Sequence, residues 1–379
     1  MKIGIFKTSL KENEHRIPIY PEHLPFLPQS LRSRLTFEYN YGTDYGFTDE
    51  YFTNQGVALS TRDELFLKND MVVLPKPLPS DLEQMKHHQI LFGWVHCVQQ
   101  KAMTQVAIDR QLTVIAWEAM HQWNKAGEKL MHIFYKNNEI AGYAAIIHML
   151  QLLGVDGHYG PHRKVVVLGY GSVSRGAIYA LHGRGFNIIH VFTRRPPHLV
   201  ADQNPDVYYG QYYPDKDGKV IVIQPDGTQV PLIEELADTD IICNGIIQDV
   251  NNPIMFVREE DISKLKPRTL IIDISCDEGM GFSFARPTTF TDPIFRIGDH
   301  ITYYSVDHTP SYLWNAASRE ISKVLLQYLS QIAKGESAWK TNPTIKNAIE
   351  IQDGNVLNKD IIKFQGRNAK YPHAIKKSK

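Results

Sequence analysis

Residues 165–176 constrain this chain more than any other stretch. They read Val165, Val166, Val167, Leu168, Gly169, Tyr170, Gly171, Ser172, Val173, Ser174, Arg175 and Gly176. Four successive apolar residues have the length of a buried strand, and the glycines after them mark a turn. The residues beyond the turn suit a helix. Gly169 permits a tight turn, Gly171 lets the backbone approach a ligand closely, and the free N–H groups of a helix N-terminus attract an anion. Ser174 stands where the dinucleotide fingerprint usually has a third glycine, and it is small enough for close helix–strand packing. A G-x-G alone says little, but one set between a strand and a helix is specific. We therefore expect Gly169, Tyr170, Gly171, Ser172 and Val173 to hold the pyrophosphate of a dinucleotide.

The next strand ends in Thr193, Arg194 and Arg195. An NAD-preferring domain usually carries Asp or Glu there, for the ribose 2′-hydroxyl. Two arginines can instead pair with a 2′-phosphate. The expected cofactor is NADP(H), ahead of NAD(H).

With 379 residues, two domains are expected. Short apolar runs at 3–6, 71–74, 90–94 and 114–116 alternate with mixed segments, as do runs at 165–168, 188–192, 241–243 and 270–274. That alternation predicts α/β architecture: two Rossmann-like domains with parallel sheets. Apolar residues at helical spacing predict a joining helix over 141–153 and a second long helix over 316–332. Turn residues at 214–218 and 225–227 bracket a hairpin strand at 219–224. The polar residues 336–379 read as an extended C-terminal tail on the body. Lys plus Arg and Asp plus Glu number 41 each, so no global charge draws nucleic acid or an anionic membrane. The basic end Lys376, Lys377, Ser378, Lys379 reads as solvated. Cys97, Cys243 and Cys276 are far apart, which argues against a disulfide framework or a structural metal and fits a cytoplasmic location. No stretch reaches the roughly 18 apolar residues that span a bilayer.

Seven landmarks, in order, resemble the alanine dehydrogenase/transhydrogenase superfamily. They are Lys2 to Lys7 with Glu14, His15, Arg16, Ile17 and Pro18; Leu74, Pro75, Lys76; Gly93, Trp94, Val95, His96; Glu118; Ala141, Gly142, Tyr143, Ala144; the glycine turn with Ile272 to Asp277; and Val306, Asp307, His308, Thr309, Pro310, Ser311. The resemblance runs from Met1 to about Ile332. It implies a substrate-binding domain over 1–140 and 306–335, an NAD(P)-binding domain over 141–305, an active site in the cleft between them, and a homo-oligomer. Within the superfamily the chain looks most like the opine-forming branch, N5-(carboxyethyl)ornithine synthase and the lysine-forming saccharopine dehydrogenases. Alanine dehydrogenases usually show Asn-Met-Pro near Asp307 and an acidic residue after the strand that ends at Thr193; both departures weaken that reading.

The implied reaction is hydride transfer between a nicotinamide and an imine carbon. The expected substrates are a pyruvate-like 2-oxo acid and the amine of an amino acid such as ornithine or lysine, condensed to a secondary amine. Alternatives are reductive amination of pyruvate with ammonia, and a dinucleotide-binding sensor or subunit without turnover. By family position, Arg16 and Lys76 meet the oxo-acid carboxylate, and His96 and Lys76 are catalytic. An imidazole titrates near neutrality, which suits a proton shuttle. Glu118 orients Lys76 or an amine. Asp277 lies at a carboxyl strand end near the nicotinamide and the substrate, and Asp307 and His308 fall in the crossover loop on the nicotinamide side, where either could help bind the amine. Arg286 offers a cation for a second carboxylate. His121, His132 and His148 are expected on helices as packing or surface residues.

Overall fold

The computed structural model describes residues 1–376 except 225, 251, 299 and 300. Pro225 of the second expected turn and residues 377–379 of the basic end lie outside the described residues. The chain divides into two compact units: Met1–Tyr135 with Trp314–Lys379, and Lys136–Leu313. The expected crossings were near 140 and 306. They fall elsewhere because two segments are tied into the second unit. The helix Tyr135–Leu153 lies so close to the helix Ser172–Gly183 that a Cβ on Gly142 would sit 1.8 Å from the Val173 carbonyl oxygen. A Cβ on Gly176 would sit 1.7 Å from that of Glu139. The 3-10 turn Thr309–Leu313 is held there too, with Thr309 Oγ1 donating to the Ala141 carbonyl at 2.9 Å and Tyr312 donating to Gln151 at 2.6 Å.

The first unit runs through β1 (Ile3–Ile5), β2 (Leu35–Glu38), β3 (Ala58–Ser60), β4 (Met71–Val73), β5 (Ile90–Gly93) and β6 (Thr113–Ala116), then a hairpin of β7 (His121–Trp123) and β8 (Lys129–His132). The second unit adds β9 (Lys164–Leu168), β10 (Ile188–Thr193), β11 (Val207–Pro214), β12 (Val220–Ile223), β13 (Gln229–Pro231), β14 (Ile241–Asn244), β15 (Met255–Val257), β16 (Thr269–Asp273), β17 (Gly281–Phe282), β18 (Ile294–Ile297) and β19 (Ile301–Tyr304). The helix Trp314–Ile332 returns the chain to the first unit, where β20 (Ile349–Gln352) and β21 (Asn355–Val356) follow.

The first sheet has the order β21-β20-β6-β5-β4-β1-β2-β3, parallel from β6 to β3. Its apolar strands are covered on both faces, as a parallel sheet requires. Ile321, Leu325, Leu329 and Ile332 recur at helical spacing on the return helix and pack with Ile3, Phe37 and Phe92. Phe6, Val72, Leu91 and Val114 lie in a separate cluster with Ile361. Each such fully buried side chain contributes roughly 1.5–3 kcal/mol.

The segment after 335 is not an extended tail. It forms short helices at Glu336–Trp339, Pro343–Lys346 and Lys359–Phe364, and β20 pairs antiparallel with β6. The backbone of β6 would otherwise be an unpaired edge; the Ala116 N–H donates to the Ala348 carbonyl at 2.8 Å. His121 and His132 also depart from expectation. They face each other across the β7–β8 hairpin, not on helices, because the Asn124–Gly127 turn reverses the chain. His132 is held down to about 4, chiefly by burial. His148 does lie on a helix, hydrogen-bonded to Tyr304.

The second sheet has the order β13-β12-β11-β10-β9-β14-β16-β19-β18. The six strands from β11 to β19 in that order are parallel, and both margins are antiparallel. The expected hairpin strand at 219–224 is β12. Strand order turns around at β9, with β10 and β11 on one side and β14, β16 and β19 on the other. That reversal is the switch point at which open α/β sheets bind ligands. No helix among the described residues is long and apolar enough to cross a membrane.

Candidate active site

In the first unit the expected residues follow four adjacent parallel strands at their carboxyl ends. Arg16 comes after β1, Lys76 after β4, His96 after β5 and Glu118 after β6. The loops are joined: the Trp94 N–H donates to the Pro75 carbonyl at 2.9 Å, and the His96 N–H donates to Glu118 Oε1. His96 adopts left-handed backbone, φ +51°. A non-glycine residue rarely does so, and its neighbours must hold it there. Burial, then the nearby Glu350, pushes the Glu118 carboxyl up to about 8, with Lys76 acting the other way. Glu118 Oε2 is buried without a hydrogen-bond partner among the described residues. Burial thus favours the neutral form of the Glu118 carboxyl.

Arg16 has a partner within its own loop. It is buried, stacks on Trp94 with the guanidinium carbon 5.0 Å from the ring centre, and grips Glu14 through Nε at 2.8 Å and Nη2 at 2.5 Å. The Nε–Nη2 edge of the guanidinium is therefore committed to Glu14. Glu14, two residues before Arg16 in the sequence, is the residue that its side chain holds.

In the second unit Gly169 is left-handed, φ +86°, at the end of β9, and Gly171 caps the helix that follows. A Cβ on Gly171 would meet nothing within 4 Å, so the backbone there faces open space. Ser174 fills the third fingerprint position because its neighbour is also a glycine: a Cβ on Gly245 would lie 2.5 Å from Ser174 Oγ. Tyr170 forms a wall, donating to Asn204 at 2.7 Å beneath the Arg175 guanidinium. These residues fit a dinucleotide: a turn, an open cradle and a helix N-terminus at the switch point. Thr193 ends β10, and Arg194 and Arg195 follow it, both exposed, with no carboxylate beside them in the sequence.

Asp277, Asp307 and Cys276 gather beyond β16 and β19. Burial, then the charge of Asp307, pushes Asp277 up to about 6. Cys276 and His308 are both left-handed, and His308 Nδ1 lies 3.8 Å from Asp307 Oδ2. Arg286 stacks on Phe295 of the marginal strand β18. Asp273, at the end of β16, went unnoticed in the sequence. It is fully buried, accepts from Tyr303 and, at 2.9 Å, from Asn244, and burial pushes it up to about 7. A carboxylate inside the apolar run Ile272-Asp273-Ile274 was the signal.

Comparison with known proteins agrees with this geometry. The family description "Alanine dehydrogenase/PNT, N-terminal domain" fits residues 4–141, and "Alanine dehydrogenase/PNT, C-terminal domain" fits residues 147–359. The chain is 27% identical over 345 residues to N(5)-(carboxyethyl)ornithine synthase of Clostridium botulinum, covering 87% of this chain and 94% of that one. It is 22% identical over 378 residues to alanine dehydrogenase 1 of Staphylococcus aureus, covering 95% and 96%. A solved L-alanine dehydrogenase matches with a TM-score of 0.74 at 20% identity, covering 96% of this chain and 99% of that one. With both descriptions fitting in order and the glycine turn at the switch point, the chain belongs to the alanine dehydrogenase/PNT family and is an NAD(P)-dependent oxidoreductase acting on CH–NH groups.

Proposed function

We propose that the protein reductively aminates a small 2-oxo acid of the pyruvate class with ammonia, in the manner of an alanine dehydrogenase. The observation that carries this reading is the set of loops after β1, β4, β5 and β6, which presents guanidinium, ammonium, imidazole and carboxyl groups from neighbouring strand ends. Lys76 and Arg16 supply positive charge for the oxo-acid carboxylate. His96 moves the proton that imine formation requires, and Glu118 fixes the His96 loop through its backbone N–H. The bound nicotinamide supplies the hydride. The choice of ammonia rests on full-length likeness to alanine dehydrogenases in both sequence and fold.

A second reading has its own support. The likeness to the carboxyethylornithine synthase is higher in identity, and no carboxylate follows β10. On that reading the amine belongs to an amino acid such as ornithine or lysine. Mass spectrometry of the product decides between them, with pyruvate, reduced cofactor and each amine offered separately. Alanine from ammonia is the expected product. An adduct from ornithine or lysine, with ammonia inert, would replace the first reading by the second. Failure to consume cofactor with any combination would leave a dinucleotide-binding subunit without turnover.

The cofactor proposal is NADP(H), and it rests on Arg194 and Arg195. Replacing both by Ala should remove a preference for NADPH over NADH of about ten- to a hundredfold, since a hydrogen bond to a charged group is worth roughly 1.5–3 kcal/mol. Comparing kcat/KM for the two cofactors checks it; equal use by the unaltered protein would sink it.

A further inference from the structure

The loop that carries His96 is fixed largely by residues far away in sequence. Gln365, just past the last short helix, is buried, and its Nε2 donates to the carbonyls of Cys97 at 2.6 Å and Val98 at 3.1 Å. Its Oε1 accepts from Arg367 Nε at 2.6 Å, and Arg367 is itself buried, donating to Gln105 at 2.8 Å and to the His373 carbonyl at 3.1 Å. Thr104 Oγ1 donates to the same Cys97 carbonyl at 2.7 Å. The His96 carbonyl accepts from the Gln100 N–H at 2.9 Å.

Glu350, on β20, is buried beside Cys97 and accepts from Asn358 Nδ2 at 2.9 Å. Apolar side chains would fill this space without the cost of burying a carboxyl, an amide and a guanidinium. A left-handed histidine needs neighbours that over-determine its backbone, and these polar groups meet the loop at that place.

We propose that the returning segment positions His96 through Gln365, which fixes the two peptide carbonyls that follow it. Gln365 acts through the loop, so it is a positioning residue. The inference rests on the proposed role of His96, and it adds a function for a part of the chain outside that reading.

Two variants of the full-length protein test it. Gln365→Leu removes the donors, and Gln365→Glu keeps the shape and the bond to Arg367 while losing them; the second serves if the first does not fold. Each should lower kcat by about tenfold to a hundredfold, the usual effect of small misplacement, with KM for the cofactor little changed.

Hydrogen–deuterium exchange separates this inference from the proposed reaction. The Gln365 variants should speed exchange in a peptide spanning 95–100 and leave β6 and β20 protected, whether or not a substrate has been found. Unchanged exchange at 95–100 with unchanged kcat would overturn the proposal. Loss of protection throughout β6 and β20 would overturn it as well, by reducing the segment to a general support.

Discussion

Replacing His96 by Ala is expected to lower turnover by about two to four orders of magnitude, the usual worth of a general acid–base, while cofactor affinity is unchanged. The reason lies in where the side chain stands. His96 follows β5 at the carboxyl edge of the first sheet, between the Lys76 and Glu118 loops. The nucleotide-binding turn belongs to the other unit and has its own supports. On the proposed role of His96, removing its imidazole takes away proton transfer and leaves the glycine turn intact. The measurement is steady-state kinetics paired with direct titration of NADPH. A variant with near-normal kcat would remove His96 from the chemistry, and one with normal kcat but weakened NADPH binding would assign it to the cofactor.

Gly176→Ala is expected to have the largest effect on stability of any single methyl addition in the second unit that keeps an ordinary helical backbone. The new carbon would fall 1.7 Å from the Glu139 carbonyl oxygen, on the backbone of a helix that cannot yield as a flexible side chain does. Overpacking costs typically about 1–3 kcal/mol, and a clash between two helix backbones belongs at the upper end or above it. Gly142→Ala meets the same helix pair from the other side, 1.8 Å from the Val173 carbonyl. Gly183→Ala is the control. It lies on the same helix with nothing within 4 Å of its added carbon, so it should be neutral or gain up to about 1 kcal/mol from helix propensity. Denaturant midpoints of the three variants compare them. Equal midpoints for Gly176→Ala and Gly183→Ala would refute the close packing of the two helices.

What the sequence discloses follows physical locality. The glycine turn, the four central strands of each sheet and the two long helices are visible because each is a local pattern of period or punctuation. The second and third strands of the first sheet, and β19 in the second, escape notice. They are short, and Thr36, Glu38 and Thr302 dilute their apolar pattern. The strand at Ile349–Gln352 is hidden for another reason: Ile349, Glu350 and Ile351 sit in a polar region, and only β6, far back in the chain, makes an edge for them to pair with. Lys76, His96 and Glu118 are legible as strand-end residues with family counterparts. The bond between Arg16 and Glu14, the burial of Asp273, and the grip of Gln365 on the His96 loop depend on distances that no pattern along the chain encodes.

The first unit is built from two separate segments of the chain, with the whole of the second unit interposed between them. This reverses the usual order of maturation during synthesis, in which the leading domain folds first. When residue 135 has been made, β6 still lacks β20, and the helix Trp314–Ile332 that covers one face of the sheet does not yet exist. The second unit is continuous and can close on itself as soon as Leu313 is available. A nascent chain of this protein therefore carries an uncovered apolar face until residue 332 is made and an open sheet edge until residue 352 is made, at roughly 5–20 residues per second. The demand this architecture places on a cell is protection of the leading segment during translation, and it falls on the part that bears His96.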